Sequence, residues 1–510
     1  VISSRMNQTE TGEYVYDSGW QEDDNNTSVL LDPSDSLQDN ELYYWQVQIR
    51  NTEGKESSLS LPQAFSTAVG DAWSSKQGIW GSSEERVVFL RREIDIPEGV
   101  EKAVLSVTAL DGTKSRQYVY NMFVNGEEIG LGPVRPDGNK LDYDTYDITE
   151  QLQPGKNVLG AIAYAENNQA FLCQLTVYLS DGSKQIITNS GQDRGNWRVM
   201  DGDPVFVGTS NSSIGTVYYS AIQDNLDMTK YPEGWLDTGF SQPGWVSPSA
   251  NDRFASYTLR PSQNDHYRHY EVNPQSVERQ ADGSYLVDFG KEIIGTIKLS
   301  VNSSSKNIVL QYGEELDDQG NAKYEMATGN VYQETWKLKS GQQTVAGIGM
   351  KAFRYVTIKN CPVSLSTGNI IGLTVRNAFD DEASSFSSSN QILNQVYEMS
   401  KYTSKMTTQG LYVDTQSRER LPYEGDTLIA GMLSYGFSAT STAFKYTSEY
   451  LLNNTTWPAE YSLYNIMAVY QNYLYTGDIR TLEESYQLLN EKTWEELYDS
   501  NQGLVGKANS

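Results

Sequence analysis

The chain has 510 residues, too many for a single hydrophobic core, and this length predicts three or four domains. Its net charge of -27 argues against a nucleic-acid partner, because phosphate binding needs a basic face that is not visible here, and no apolar run approaches the length of a membrane span. An acidic surface suits a neutral ligand such as a sugar. The 35 tyrosines and 10 tryptophans suit one too, although β-sheets are rich in aromatics whatever they bind.

Residues 1–70 alternate in the manner of strands. Tyr14-Val15-Tyr16 leads into the turn Asp17-Ser18-Gly19, and Leu42 to Asn51 reads as a strand with a change of phase at Trp45. A small fibronectin-like β-sandwich is predicted. Residues 71–255 are again β, with strands at Val87–Pro97, Lys102–Leu110 and Tyr118–Gly130. The last of these carries the hairpin signal Asn125-Gly126. A strand ending near Tyr164 and a Trp-bearing segment, Gly234 to Trp245, complete a predicted jelly-roll sandwich. Residues 256–384 form a further predicted sandwich, with strands at Tyr285–Val301, Asn307–Asn321, Glu334–Lys339 and Ala352–Asn360.

Cys173 and Cys361 fall in different predicted domains and are expected as two buried thiols. His266 and His269 have no third ligand for a metal site and lie near no nucleophile-elbow pattern, so they read as a satisfied surface pair.

The period changes within residues 385–510. Ser389 and Asn390 offer a helix cap, and Ile392, Val396, Met399 and Met406 mark the apolar face of an amphipathic helix. Further helices are expected at about 427–437, 441–452, 462–475 and 478–498. The first two helices are joined by DTQSRERLPYEGD, Asp414 to Asp426. It holds four carboxylates (Asp414, Glu419, Glu424, Asp426) and two guanidiniums (Arg418, Arg420). Taken alone, it is either a solvated, salt-bridged loop or an acid/base site. Splitting a glycosidic bond takes one protonated carboxyl for the leaving group and one ionised carboxylate to activate water or attack. Crowded carboxylates push their pKa values apart, which keeps one protonated near neutral pH.

This layout resembles the bacterial α-L-rhamnosidases over nearly the full length. DFG at Asp288–Gly290, LQYGEELDDQG at Leu310–Gly320 and FRYV at Phe353–Val356 resemble that family's sandwich before the barrel. VNGEEIG and YDITEQLQPGKNVLG resemble its carbohydrate-binding-like sandwich. The signature D-x-x-x-R-E-R-x-G-W-x-G-D aligns with Asp414, Arg418, Glu419, Arg420, Gly425 and Asp426. The resemblance implies β-sandwich domains followed by the first part of an (α/α)6 barrel. It implies Glu419 as general acid, Asp414 and Asp426 on sugar hydroxyls, and Arg418 orienting ring and acid.

The family's Gly-Trp-Thr is Pro422-Tyr423-Glu424 here. Tyr423 keeps a face for stacking on a sugar. Glu424 adds a charge that alters the sugar accepted, alters Glu419, or points to solvent. Trp457 and Glu460 start a barrel helix where family members place sugar contacts, and core packing explains Trp457 equally well. The helices counted fall short of the twelve of the barrel, so a fragment is expected, with the general base in no residue of 1–510. A structural calcium is allowed in the second sandwich without a ligand cluster to mark it, and no other cofactor is implied. The implied activity is inverting removal of terminal α-L-rhamnose. The alternatives are a related glycosidase for another sugar, a non-catalytic sugar-binding protein, and a structural assembly of sandwiches.

Overall fold

The computed structural model describes residues 1–6, 12–22, 36–112, 117–189, 191–207, 214–241, 243–438, 440, 442–501 and 503–506. Its architecture changes from β to α near residue 390, where the hydrophobic period changes. At the N-terminus, Ile2–Ser3, Leu42–Trp45 and Gln63–Ser66 form a three-stranded antiparallel sheet. The strand from Leu42 stops at Trp45, short of the predicted Asn51. Tyr43 and Tyr44 are both buried, whereas Trp45, Val47 and Ile49 are exposed. Leu42 and Tyr44 pack on Val104 and Tyr178 of the next unit, which is why alternation fails there.

That next unit is a sandwich of two sheets. One includes Val87–Ile96, Gly155–Tyr164, Tyr120–Val124 and Glu127–Gly132; the other includes Val100–Leu110, Ala170–Leu179 and Lys140–Asp147. Leu90, Leu105, Phe171 and Trp197 fill the space between them. The turn at Asn125-Gly126 has φ of 49° and 86°, the positive pair that a two-residue hairpin requires.

The first of these sheets does not end at the sandwich. Tyr267 pairs with Leu131, and Tyr267–Val272 pairs with Ile370–Asn377. The sheet then continues through Tyr285–Ser303, Lys351–Lys359, Lys306–Gly313 and Gln333–Leu338. Trp235, Ile222 and Tyr219 from the segment ahead of it are buried in a core shared with Leu299, Trp336 and Phe353. Trp235 and Trp245 stack, so the predicted tryptophan cluster is core on one side and rim on the other.

A charged cluster lies in this region without solvent contact. Lys351 Nζ donates to Glu334 Oε1 at 2.6 Å and to Asp224 Oδ2 at 3.4 Å, and all three side chains are fully buried. Asp224 also accepts from the backbone N–H groups of Ile348 and Gly349.

His269 Nδ1 lies 2.8 Å from Glu128 Oε2, and His266 Nε2 lies 2.8 Å from the Thr145 carbonyl. The histidines are therefore half-buried groups with one partner each, and the expected surface pair is corrected. Cys173 is buried and Cys361 half-buried, both as free thiols.

Five helices follow: α1 Gln391–Met406, α2 Glu424–Phe437, α3 Thr442–Asn453, α4 Tyr461–Thr476 and α5 Arg480–Glu491. Asn390 caps α1 by accepting from the Ile392 N–H at 2.9 Å. Gly477, with φ of 70°, ends α4 in a left-handed cap. Successive helices pack as hairpins, and α2 also lies against α4 and α3 against α5, a two-layered arrangement of alternate helices. α5 stops at Glu491 and not near Tyr498, because Trp494 takes a positive φ of 58° and breaks the period. The apolar face of α1 also departs from expectation. Ile392, Val396 and Met399 are exposed, Ile392 to 68%, and only Met406 of that set is buried.

Candidate active site

The stretch 414–426 is not one loop. α2 begins at Glu424, so Glu424, Gly425 and Asp426 form its first turn, where carboxylates meet the positive end of the helix. The loop proper, 414–423, is closed at its base. Asp414 N–H donates to the Leu421 carbonyl at 2.9 Å, and Leu421 N–H donates back to Asp414 Oδ1 at 3.1 Å. Arg420 N–H reaches the Thr415 carbonyl at 3.1 Å. This closure turns the Asp414 and Glu419 carboxyls toward each other until they share a hydrogen bond.

Burial, and then the hydrogen bond with Glu419, pushes Asp414 up to about 7. The bond from Asp414, with that of Arg418, holds Glu419 below the usual carboxylate range. Arg418 Nη2 donates to Glu419 Oε2 at 2.9 Å while its own side chain stays half exposed. The Tyr423 phenol adds to the lowering of Glu419. The Tyr423 ring is buried edge-on against Tyr461, centroids 6.4 Å apart, so the expectation of a free stacking face is corrected.

Trp457 supplies the free face instead. Among the described residues it is 83% exposed, beside the Tyr423 phenol. Asp426 is exposed in the first turn of α2; burial by its surroundings and then the nearby charges of Glu419 and Glu424 raise it. Glu460 is exposed at the start of α4, beside Tyr461, and touches the acid pair through no recorded bond.

Glu424 is corrected more fully. It is 0% exposed, so it does not point to solvent. Its Oε1 accepts from the Thr456 N–H at 3.0 Å and its Oε2 from the Thr456 hydroxyl. It thus ties α2 to the connection that presents Trp457. Gly425 belongs to the same contact, since a Cβ there would stand 3.1 Å from the Tyr461 ring.

The second guanidinium has a different role from the first. Arg420 is 1% exposed with a φ of 49°. Its Nε donates to the Gln416 carbonyl and its Nη2 to the Met350 carbonyl, both at 2.6 Å, and its Cζ lies 4.4 Å from the Tyr219 ring centre. Three further residues of the β region hold the loop. Arg135 Nη2 donates to the Arg420 carbonyl at 3.1 Å, Thr216 Oγ1 donates to the Arg418 carbonyl at 2.6 Å, and Glu314 hydrogen-bonds Ser417. Sequence reasoning missed Arg135, Thr216, Tyr219, Glu314 and Met350. They lie roughly 70 to 300 positions away, and no local motif marks them.

Among the described residues no group of three or more His, Cys, Asp or Glu side chains converges as a metal site. The calcium allowed by the resemblance therefore has no carboxylate cluster to hold it, and no step below uses one.

Sandwiches leading into paired helices, with a carboxylate pair on the first connection, define a multidomain protein that is β in its first part and α in its second. Four family models match in series. They are the Rha78A-like N-terminal immunoglobulin domain (2–71), the alpha-L-rhamnosidase N-terminal domain (98–271), the bacterial alpha-L-rhamnosidase concanavalin-like domain (278–376) and its 6 hairpin glycosidase domain (381–507). The chain belongs to the bacterial α-L-rhamnosidases.

A curated α-L-rhamnosidase of Formosa agariphila is 23% identical over 474 residues, covering 84% of this chain and 48% of its own length. One of Streptomyces avermitilis is 26% identical over 388 residues, covering 70% of this chain and 35% of its own. The chain thus spans half or less of these two relatives. Among solved structures, the α-L-rhamnosidase of Dictyoglomus thermophilum superimposes with a TM-score of 0.78 at 20% identity, over 98% of this chain and 59% of that one. The Streptomyces avermitilis enzyme complexed with L-rhamnose gives 0.74 at 17% identity, over 97% and 66%.

Proposed function

We propose that the protein hydrolyses terminal α-L-rhamnosides with inversion, and that Glu419 is the general acid. The observation that carries this reading is the pairing of Asp414 with Glu419, with Arg418 donating to Glu419 at 2.9 Å. Substrate places its glycosidic oxygen against Glu419. The proton that Asp414 holds in the resting pair passes to Glu419, and from Glu419 to that oxygen as the anomeric C–O bond breaks, so that the leaving group departs as an alcohol. Water adds to the anomeric carbon from the opposite face and gives its proton to a base.

That base is not Asp414. An inverting pair stands about 6.5–9.5 Å apart to admit the water, and two carboxyls that share a hydrogen bond leave no such room. No residue of 1–510 is assigned to it. Asp414 and Asp426 take sugar hydroxyls, Arg418 fixes the acid and the ring, and Trp457 offers its exposed face to the sugar. Glu460 is the outermost candidate contact.

The test is hydrolysis of p-nitrophenyl α-L-rhamnoside by the full-length protein and by its Glu419→Gln variant, with the anomer of the released sugar followed by NMR. A loss of several orders of magnitude in the variant, with β-rhamnose released first by the wild type, supports the reading. Activity that survives the substitution takes Glu419 out of the acid role, and α-rhamnose as first product refutes inversion.

A further inference from the structure

Next to the acid lies a four-residue turn that the reaction as written does not use. Thr216 N–H donates to the Tyr219 carbonyl at 3.1 Å, closing Thr216-Val217-Tyr218-Tyr219 on itself. Both ends of the turn are fastened to the acid loop. The Thr216 hydroxyl donates to the Arg418 carbonyl at 2.6 Å and accepts from the Tyr218 N–H at 3.1 Å, so one oxygen bridges the backbones of Tyr218 and Arg418. At the other end Tyr219 is buried under the Arg420 guanidinium and held from behind by Asn330 Nδ2, 3.0 Å from its hydroxyl.

The two central residues are left free. Val217 is 81% exposed and Tyr218 43%. Turn centres ordinarily carry Gly, Asn, Asp, Ser or Pro, each for a backbone reason. Scattered exposed apolar residues need no explanation on most surfaces. Here two adjoin at a rigid tip, pinned through the backbone of the residue next to Glu419. Tyr218 N–H is held by the same Thr216 oxygen that bonds the Arg418 carbonyl, so the tip borders the loop that carries Arg418 and Glu419.

We propose that the Val217–Tyr218 tip is the platform for the leaving group, binding a flat apolar face on the aglycone side of the scissile bond. The proposal rests on the function assigned above. A general acid protonates the oxygen that joins the terminal sugar to its leaving group, so whatever flanks Glu419 away from the sugar meets the first ring of that leaving group. Such a face belongs either to an aromatic aglycone or to the apolar side of a second sugar, and Tyr218 stacks on either. The platform comes from the β region, and Trp457, proposed above to face the sugar, comes from the helices. Terminal sugar and leaving group are thus read by different parts of the chain.

The experiment compares full-length wild type, Tyr218→Ala and Tyr218→Phe on three α-L-rhamnosides: methyl, p-nitrophenyl and rhamnosyl-glucose. Dividing variant by wild type within each substrate cancels the chemistry of the leaving group. Inhibition by free L-rhamnose is measured alongside, as a readout of the sugar's own subsite. Tyr218→Ala is expected to lose about five- to tenfold in kcat/KM on the platform's ligand and less than twofold on the methyl glycoside. Rhamnose inhibition should be unchanged and Tyr218→Phe should retain wild-type ratios. Selective loss on the aryl substrate identifies an aromatic aglycone, and selective loss on the disaccharide identifies a second sugar.

Equal losses on all three substrates, or weakened rhamnose inhibition, overturn the platform while leaving the proposed function standing. A wild type that cleaves none of the three overturns the proposed function, and the platform falls with it.

Discussion

Replacing Lys351 by Met would leave Asp224 and Glu334 facing each other in a site with no solvent. The lysine makes hydrogen bonds of 2.6 and 3.4 Å to the two carboxyls, and its Nζ lies 4.9 Å from the Tyr312 ring centre. Desolvating an ion and then removing its partner costs about 3–5 kcal/mol, several times what a surface pair contributes. Burial raises Glu334 to about 7 even with the lysine present, so part of this cost will appear as proton uptake. A chain of several domains does not unfold in one step, and amide hydrogen exchange in strand Lys351–Lys359 isolates the affected unit. At 1.4 kcal/mol per decade, exchange there should quicken by roughly two to three orders of magnitude. The triple variant Lys351→Met, Asp224→Asn, Glu334→Gln removes all three charges and should recover most of the protection. Exchange within about fivefold of wild type in the single variant would refute the argument that this cluster is an interdependent ion group.

Three other outcomes are expected. Arg420→Lys keeps a charge but loses the fork that spans the Gln416 and Met350 carbonyls; activity on the nitrophenyl rhamnoside should fall at least tenfold in a folded protein, and an unchanged pH–rate profile and rate would exclude Arg420 as a positioning residue. Asp144 is raised by burial to about 7 from an ordinary 3.8. Its folded state therefore holds the proton more tightly than the unfolded one, and the stability this gives is present below about pH 4 and lost as pH rises through 7. Urea unfolding of Asp144→Asn at pH 5 and pH 8 should show a flatter dependence than wild type, and parallel slopes would refute it. Gly431→Ala in α2 places a Cβ 2.1 Å from the Phe444 ring of α3. Despite the better helix propensity of Ala, amide exchange in these two helices should show a local loss of about 1–3 kcal/mol, and slower exchange in the variant would mean that the two helices separate freely.

What could be read from the sequence follows the range of the physics involved. Period-2 runs such as Val87–Ile96 and the hairpin signal Asn125-Gly126 announce themselves within a few residues, as do Asn390 and Gly477 at helix ends. The ordered charges of Asp414, Arg418 and Glu419 single out the candidate site by local pattern in the same way. Local pattern gave no warning that Glu424 would turn inward to Thr456, because a buried carboxylate is specified by its distant partner. It misjudged α1, whose period correctly predicts a helix but does not say which neighbours cover its apolar stripe. It could not see that Arg420, adjacent to Glu419, would be wholly buried between Met350 and Tyr219.

The fastening of the acid loop from outside the helices bears on modularity. Arg135, Thr216, Glu314 and Met350 all precede the first helix, and each holds a separate residue or face of the loop that carries Glu419. The helical hairpins are therefore not a cassette that could be moved onto other sandwiches. A graft that joined them cleanly at residue 385 would leave the Glu419 loop without these contacts while every one of its own residues was present. Drift in the sandwiches is constrained in the same way, since Thr216 is bonded to the residue next to Glu419. Those β domains serve as the frame in which the reactive loop is held, as much as any role they have toward sugar.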